Sequence, residues 1–368
     1  MPQEFALRPR VEIDGTPLPA ELEVLLEKVV VDDHLHTPDM FEVMFRDADK
    51  QVLSQAKLKI GSKVKIGAPP LGGTRPDVLI SGEVTAFEGE YDSAGSRAVV
   101  RGYDASHRLH IGRISKTFVN VKYSDIAQQV AKDHGLQPGT IDDSKTVYDH
   151  IFQHNQTDWE FLGGLAEQIG FKVTVADDKL DFRRPPKAAD APDQGDYRST
   201  NPLQMVFGQD LIAFYPRINS AGQVKGVEVR GVDPINKKSL LGSAPAGSSS
   251  ASLPITPSDM AAVYGNRTFT LVDRTLTSQS AVDAAAVAAR DQIGSSAGEA
   301  EGIARGNPRL KAGSAVSVSG VSKEFVGRYT LTHTRHVFDA QGYRTHFTIS
   351  GAQDRSLLGL VWAGGNGG

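Results

Sequence analysis

Apolar and polar residues alternate with a period of two along much of this chain, as in strands that bury one face. Arg10-Val11-Glu12-Ile13-Asp14-Gly15 reads as a strand running into a turn. Leu22, Val24 and Leu26 alternate ahead of Val29-Val30-Val31, and Phe41 to Phe45 forms another short strand. Asp47 to Gln55 is polar and reads as a loop or one helical turn. One stretch then occurs twice. Leu58-Lys59-Ile60-Gly61-Ser62-Lys63-Val64-Lys65-Ile66 and Leu310-Lys311-Ala312-Gly313-Ser314-Ala315-Val316-Ser317-Val318 share the pattern L-K-x-G-S-x-V-x-[IV]. Each is followed by a second alternating strand with a glycine near its start, Ile80 to Glu88 and Phe325 to His333. Each closes on a third that ends in glycine, Ala98 to Gly102 and His346 to Gly351. Matched strands in the same order predict one β-module used twice. Many short strands with glycine turns predict closed or nearly closed barrels. The Pro69-Pro70-Leu71-Gly72-Gly73 cluster reads as a loop.

Between the copies the period changes. Ser124 is placed to cap a helix bearing Ile126, Val130 and Ala131, with Gly135 as its stop. Thr157 and Glu160 form a capping box, after which Trp159, Leu162, Leu165, Ala166 and Ile169 recur at helical spacing up to Gly170. Phe171 to Val175 and Leu180 to Phe182 flank Asp177-Asp178 as a hairpin. The organisation read from this pattern is mainly β with α/β insertions. A first β-barrel module spans 1–104 and an α/β insertion spans 105–196. A second, split module spans 197–239 and 306–353, with Val227 to Asp233 echoing Val99 to Asp104. An insertion at 240–305 carries one helix near 281–293, capped by Ser280, after a Ser/Ala/Gly/Pro-rich stretch at 242–258. Residues 354–368 are apolar, then glycine-rich, and read as a linker toward a spike.

Length and composition narrow the class. A chain of 368 residues accommodates two or three domains, and 23% charged with 39% hydrophobic residues is the balance of a folded protein. The formal charge of −4 supplies no basic stripe for nucleic acid and no polybasic anchor for a membrane. No cysteine is present, which excludes disulfides and thiolate metal sites. Met1 to Phe5 lacks the regions of a secretory signal, so synthesis in the cytosol is the expectation. No apolar run reaches the ~18 residues of a membrane span.

Candidate chemistry is sparse. Asp32-Asp33-His34-Leu35-His36 sets two histidines on one strand face beside two carboxylates, but spacing places no third metal ligand nearby. His333-Thr334-Arg335-His336 has the wrong spacing for one strand face. His107 and His110 are a weak pair, and His150 and His154 lie in a segment that alternates like a strand. Asp142-Asp143 and Asp177-Asp178 sit in turn-like contexts. Trp159 is the one ring placed to stack on a sugar or base, and its helical period reads as core. No P-loop or H-E-x-x-H occurs, and the G-x-S-x-G string at Gly294 to Gly298 lacks the preceding strand that a nucleophile elbow needs. Gly294-Ser295-Ser296-Ala297-Gly298 follows a helix, so it is not a dinucleotide cradle. The expectation is no catalytic, cofactor-binding or metal-binding residue, no cofactor and no enzyme.

Tyr148 to Leu162 resembles the Y-x-x-[IV]-x-Q-x-N-x-[ST]-D-[WF]-x-F-L segment of the tail-spike hub family. That group comprises late control D proteins of contractile phage tails, valine-glycine repeat (VgrG) spikes of type VI secretion, and spikes of extracellular contractile injection systems. Ile303 to Gly313 is similar to the family's G-N-P-x-L-x-x-G segment, and the resemblance runs from about residue 8 to 362. It implies two tube-like barrels per chain, pseudo-hexameric when three chains assemble. The implied role is a baseplate hub that adapts a hexameric inner tube to a three-fold spike and transmits force on contraction. The implied partners are two further copies, the inner tube protein, a fused or separate spike or needle tip, and baseplate proteins. The implied location is a phage tail or injection-system particle. Fused relatives continue into a spike, so the end at Gly368 is expected to be a separate-spike arrangement or a piece of a longer polypeptide. A monomeric carbohydrate- or receptor-binding β-protein stands as the alternative.

Overall fold

A computed structural model describes residues 8–69 and 76–349. The loop expected at Pro70 to Gly73 and the linker expected at 354–368 lie outside the described residues.

Eleven strands form one sheet, in the order Leu211–Ile218, Gly298–Arg305, Gly342–Ile349, His333–Asp339, Leu26–His34, Met40–Arg46, Gly95–Asp104, Asp77–Asp92, Lys63–Ala68, Arg10–Ile13, Thr16–Pro17. The first four and the next four repeat one topology. In each set the spatial order is first, second, fourth, third by chain position, with every neighbour antiparallel. Each fourth strand returns through a hairpin with the same chemistry. Asp92 and Asp339 open these turns, and Gly95 and Gly342 close them at φ +135° and +98°. Arg97 and Arg344, two residues further on, reach back to Asp92 at 3.6 Å and Asp339 at 2.9 Å. The D-x-x-G-x-R pattern is therefore a second repeat signature, present in the sequence beside L-K-x-G-S.

The two halves join head to tail. His333–Asp339, the third strand of the later half, pairs with Leu26–His34, the first strand of the earlier half, from His333↔His34 to Phe338↔Val29. Of the closed or nearly closed barrels expected, this pairing argues against the closed form. Among the described residues no sheet closes on itself. The strand edge that closure would use is spent on pairing with the other half.

The sheet is two-faced, as expected when one side packs and one stays wet. Val29, Val31, Phe41, Val43 and Phe45 lie in one core with Ile66, Val84 and Val100. Phe347, Ala300, Ala304 and Val316 lie in a second core with Tyr329. On the opposite side charged residues pair across strands: Arg217 with Glu299, Arg335 with Asp32, and Arg101 with both Glu42 and Glu88. Gly102 permits a close crossing, since an added Cβ there would lie 2.4 Å from the Phe41 ring.

The insertion after Asp104 has its own core, built from helices Tyr123–Asp133 and Asp158–Gln168 against Lys172–Ala176, Lys179–Arg183 and Gln137–Ile141. Thr157 caps its helix as the pattern predicts, with both capping-box bonds at 3.1 Å. Asp177 and Asp178, at φ +49° and +59°, form the two-residue turn. Elsewhere local pattern misled. Leu22 is buried on a short helix, Ala20–Glu23, begun by Pro19 rather than on a strand. Gly226–Asp233 is not the counterpart of Gly95–Asp104. It sits in a three-stranded sheet with Lys238–Pro245 and Thr268–Val272, under helix Gln279–Ser295. Ser278, not Ser280, caps that helix. Gly298–Arg305, expected within the insertion, is instead a strand of the large sheet. Alternation cannot say which sheet a strand joins, so the expected edges at 239 and 306 fall inside packed units.

Candidate functional site

The seam between the two halves gathers most of the polar groups singled out above. Alternation divides Asp32 to His36. Asp32 and His34 emerge on the charged face, opposite Arg335 and His333. His333 Nε2 lies 3.1 Å from Asp32 Oδ1. The His34 and His333 rings stack, centroids 3.9 Å apart. His336 points the other way and is buried, its Nδ1 2.9 Å from the Tyr343 hydroxyl. Burial alone would raise the Asp32 carboxyl, but the His333 hydrogen bond and the Arg335 charge outweigh it and hold it below its ordinary value. Burial and the adjacent His333 push His34 down to about 4, so its imidazole is neutral near pH 7. The sequence foresaw no third ligand beside Asp32 and His34. His333, 301 residues from Asp32, arrives by strand pairing between halves, which no spacing rule detects.

The repeated turns explain how the later half grips the earlier one. Gly61 N–H donates to Val84 O at 2.8 Å, and Gly313 N–H to Leu331 O at 2.7 Å. Val84 N–H donates back to Ser62 O, and Leu331 N–H to Ser314 O, both at 2.9 Å. Ser62 and Ser314 hydroxyls accept from Lys59 N–H and Lys311 N–H. Val84 therefore corresponds to Leu331. Aligning Gly82 with Gly327 by sequence was off by two residues, a slip that preserves the face. The second turn docks on the first half. Arg309 pairs with Asp77 at 2.9 Å, Lys311 Nζ donates to Val78 O at 3.0 Å, and Ala312 N–H donates to Asp33 Oδ2 at 3.1 Å.

Below this contact lies a cleft of about 390 Å³ whose lining includes Asp33, Asp39, Asp104, Trp159, Lys172 and Lys311. Burial pushes Asp33 up to about 6 against the pull of Lys311 and the Ala312 amide. It pushes Asp104 up to about 7 despite two hydrogen bonds from Ser106. Asp39 is raised by burial and by the charges of Asp33 and Asp104. Trp159 is engaged on both sides. Its Nε1 donates to His36 O at 3.1 Å and its ring stacks on His110 at 5.1 Å. His107 Nδ1 lies 2.7 Å from Asp104 O. His150 and His154 are exposed on Tyr148–Gln156, away from this cluster. Asp142 and Asp143 accept backbone N–H groups of Arg184 and Lys145.

This two-faced, internally repeated sheet with inserted α/β units is a fold found in tail proteins. It is shared by the 43 kDa tail protein of prophage MuSo2 from Shewanella oneidensis, 15% identical, with 93% of this chain and 97% of that one covered and a TM-score of 0.68. The tail protein from Neisseria meningitidis MC58 is 12% identical, with 94% and 96% covered and a TM-score of 0.65. The E. coli c3393 protein is described as a component of the type VI secretion system structurally similar to T4 bacteriophage tail proteins gp27 and gp5. It is 12% identical, with 94% and 78% covered and a TM-score of 0.55. By sequence, no curated protein matches. The family model described as the Alg8 N-terminal domain matches residues 5–339, and the chain belongs to that family.

Proposed function

We propose that this chain is a structural hub of a contractile, phage-tail-like injection machine. In this reading three copies adapt a six-fold inner tube to a three-fold spike and transmit force on contraction. It makes and breaks no covalent bond, and it works assembled in a tail or injection-system particle with baseplate proteins. The observation that carries the reading is the head-to-tail repeat. A heterologous contact of this kind leaves unlike edges at the two ends of the chain, and copies that join such edges form a ring when the rotation between them closes, as the hub reading requires. One end offers Leu211–Ile218, the first strand of the later half, with Tyr215 67% exposed. At the other, the ladder with Lys63–Ala68 does not extend along Asp77–Asp92 past Glu83, and among the described residues no strand pairs with the far part of that long strand on this side. Pairing these edges between copies repeats the seam already present within each chain. The tail-protein fold supports the same reading. The engaged Trp159 speaks against a sugar-stacking role.

Light scattering across a dilution series tests it. The expected mass is three times the 39.5 kDa chain mass. A chain that stays monomeric at every concentration, alone and with its tube protein, overturns the hub reading and favours a monomeric carbohydrate- or receptor-binding protein.

A further inference from the structure

We propose that Asp32, His34 and His333 bind a divalent transition-metal ion, Zn2+ in the first instance, which cross-links the two halves of the sheet at their seam. One ligand atom from each residue lies within 4.8 Å of the other two. Asp32 and His34 share a face because they are two apart on one strand, and His333 is the direct cross-strand partner of His34. A carboxylate and two imidazoles form a donor set suited to Zn2+, Co2+ or Ni2+. Bonds of about 2.0–2.1 Å in tetrahedral geometry put ligand atoms roughly 3.3 Å apart, so the side chains need to close by on the order of 1 Å. His333 Nε2 and Asp32 Oδ1, at 3.1 Å, already stand at that spacing.

Two adjustments accompany binding. The stacked rings, inclined by 10°, now direct their nitrogen lone pairs side by side rather than toward one point. Each ring turns about its outer torsion, which is broad for histidine, and both rings are only partly buried. Arg335 Nε lies 3.8 Å from Asp32 Oδ1, and its side chain is 45% exposed. It swings into solvent as the ion takes over as counter-charge. Water completes the coordination, and binding weakens at low pH as protons compete for the imidazoles.

The position gives the ion a purpose. His34↔His333 is the last register pair of the ladder that joins the halves, with one further backbone bond beyond it, Leu35 N–H to Thr332 O at 3.2 Å, so the ion sits near one end of the seam. Neither outer strand, Leu211–Ile218 or Asp77–Asp92, carries a histidine. The ion therefore pins the seam inside a chain and not a junction between copies, and the inference does not rest on the hub reading.

The test is calorimetric titration of Zn2+ into the whole chain at neutral pH, with Co2+ absorption as a second probe. Wild type is expected to bind one ion per chain, with visible Co2+ bands of a nitrogen- and oxygen-ligated site. His34→Gln and His333→Gln are each expected to weaken binding by at least about tenfold. A His150→Gln, His154→Gln control is expected to bind like wild type. Thermal unfolding is expected to shift upward with Zn2+ in wild type and not in the two site variants. Absence of saturable binding by wild type overturns the proposal without reference to any variant's folding. Undiminished binding by both site variants, or loss in the control alone, overturns it equally.

Discussion

An added β-carbon at Gly61 would meet open space, whereas one at Gly313 would meet Leu35 Cδ2 at 3.3 Å. The two turns share their hydrogen bonds, their positive φ of +87° and +84°, and the leucine that opens each motif. They differ in what surrounds them. The first faces solvent, with Ile60 62% exposed, and is braced by Asp14, which accepts from Ser62 Oγ and Lys63 N–H. The second is pressed onto the other half, above three carboxylates. Local sequence thus determines the turn, and its place in the chain determines how much the rest of the molecule depends on it.

The largest difference is expected at the leucines. Leu310 is fully buried in the later core, while Leu58 lies at the margin of the earlier one, 9% exposed. Leu→Ala changes in cores cost about 2–5 kcal/mol, more where the site cannot collapse. Leu310→Ala is expected near the upper end and Leu58→Ala near the lower, read as urea midpoints at constant slope. Equal losses would show that the docked turn is no better packed than the free one.

The carboxylates beneath the second turn give the next effect. A carboxyl raised by burial keeps its proton in the folded chain after the unfolded chain has lost it. Its contribution is full below the ordinary value of 3.8 and is lost as pH rises toward about 7, the position of Asp104. His34 and His336, pushed by burial down to about 4 and about 3, act oppositely and add stability as pH rises toward 6.5. Asp104→Asn removes the first effect while an amide oxygen still accepts from Ser106. Relative to wild type, the variant is expected to gain on the order of a few kcal/mol between about pH 4 and pH 7, by denaturant unfolding at each pH. A difference that stays constant with pH would show that burial does not raise the Asp104 carboxyl in the folded chain.

Much of this was legible in the sequence, and the illegible part has a common cause. L-K-x-G-S announced both turns because a positive-φ glycine and a hydroxyl bonding back three residues leave a fixed local signature. The Thr157–Glu160 box announced its helix for the same reason. What failed was long-range. Gly226–Asp233 and Gly95–Asp104 look alike yet join different sheets, and closure into barrels was inferred from strand number without knowing which edges pair. The Asp32–His34–His333 group stayed hidden because its third member comes from the far end of the chain. The Asp92–Arg97 and Asp339–Arg344 hairpins, by contrast, were readable as a repeated D-x-x-G-x-R and needed only to be sought.

The smallest effect is expected at the glycines themselves. Valine at a left-handed backbone position costs about 1–2 kcal/mol through its β-carbon alone. Gly61→Val meets no neighbour, so that strain is its whole penalty. Gly313→Val adds a contact with Leu35 already tighter than ordinary van der Waals distance, and its branches enter the space Leu35 occupies. Both variants are expected to lower the unfolding midpoint, Gly313→Val the more. Truncating the neighbour separates the two terms. In a Leu35→Ala background the excess for Gly313→Val over Gly61→Val is expected to shrink toward zero while the shared strain remains. An excess that survives would place the second turn's extra constraint in its backbone, in the Ala312-to-Asp33 bond that the first turn lacks, rather than in side-chain packing against the first half.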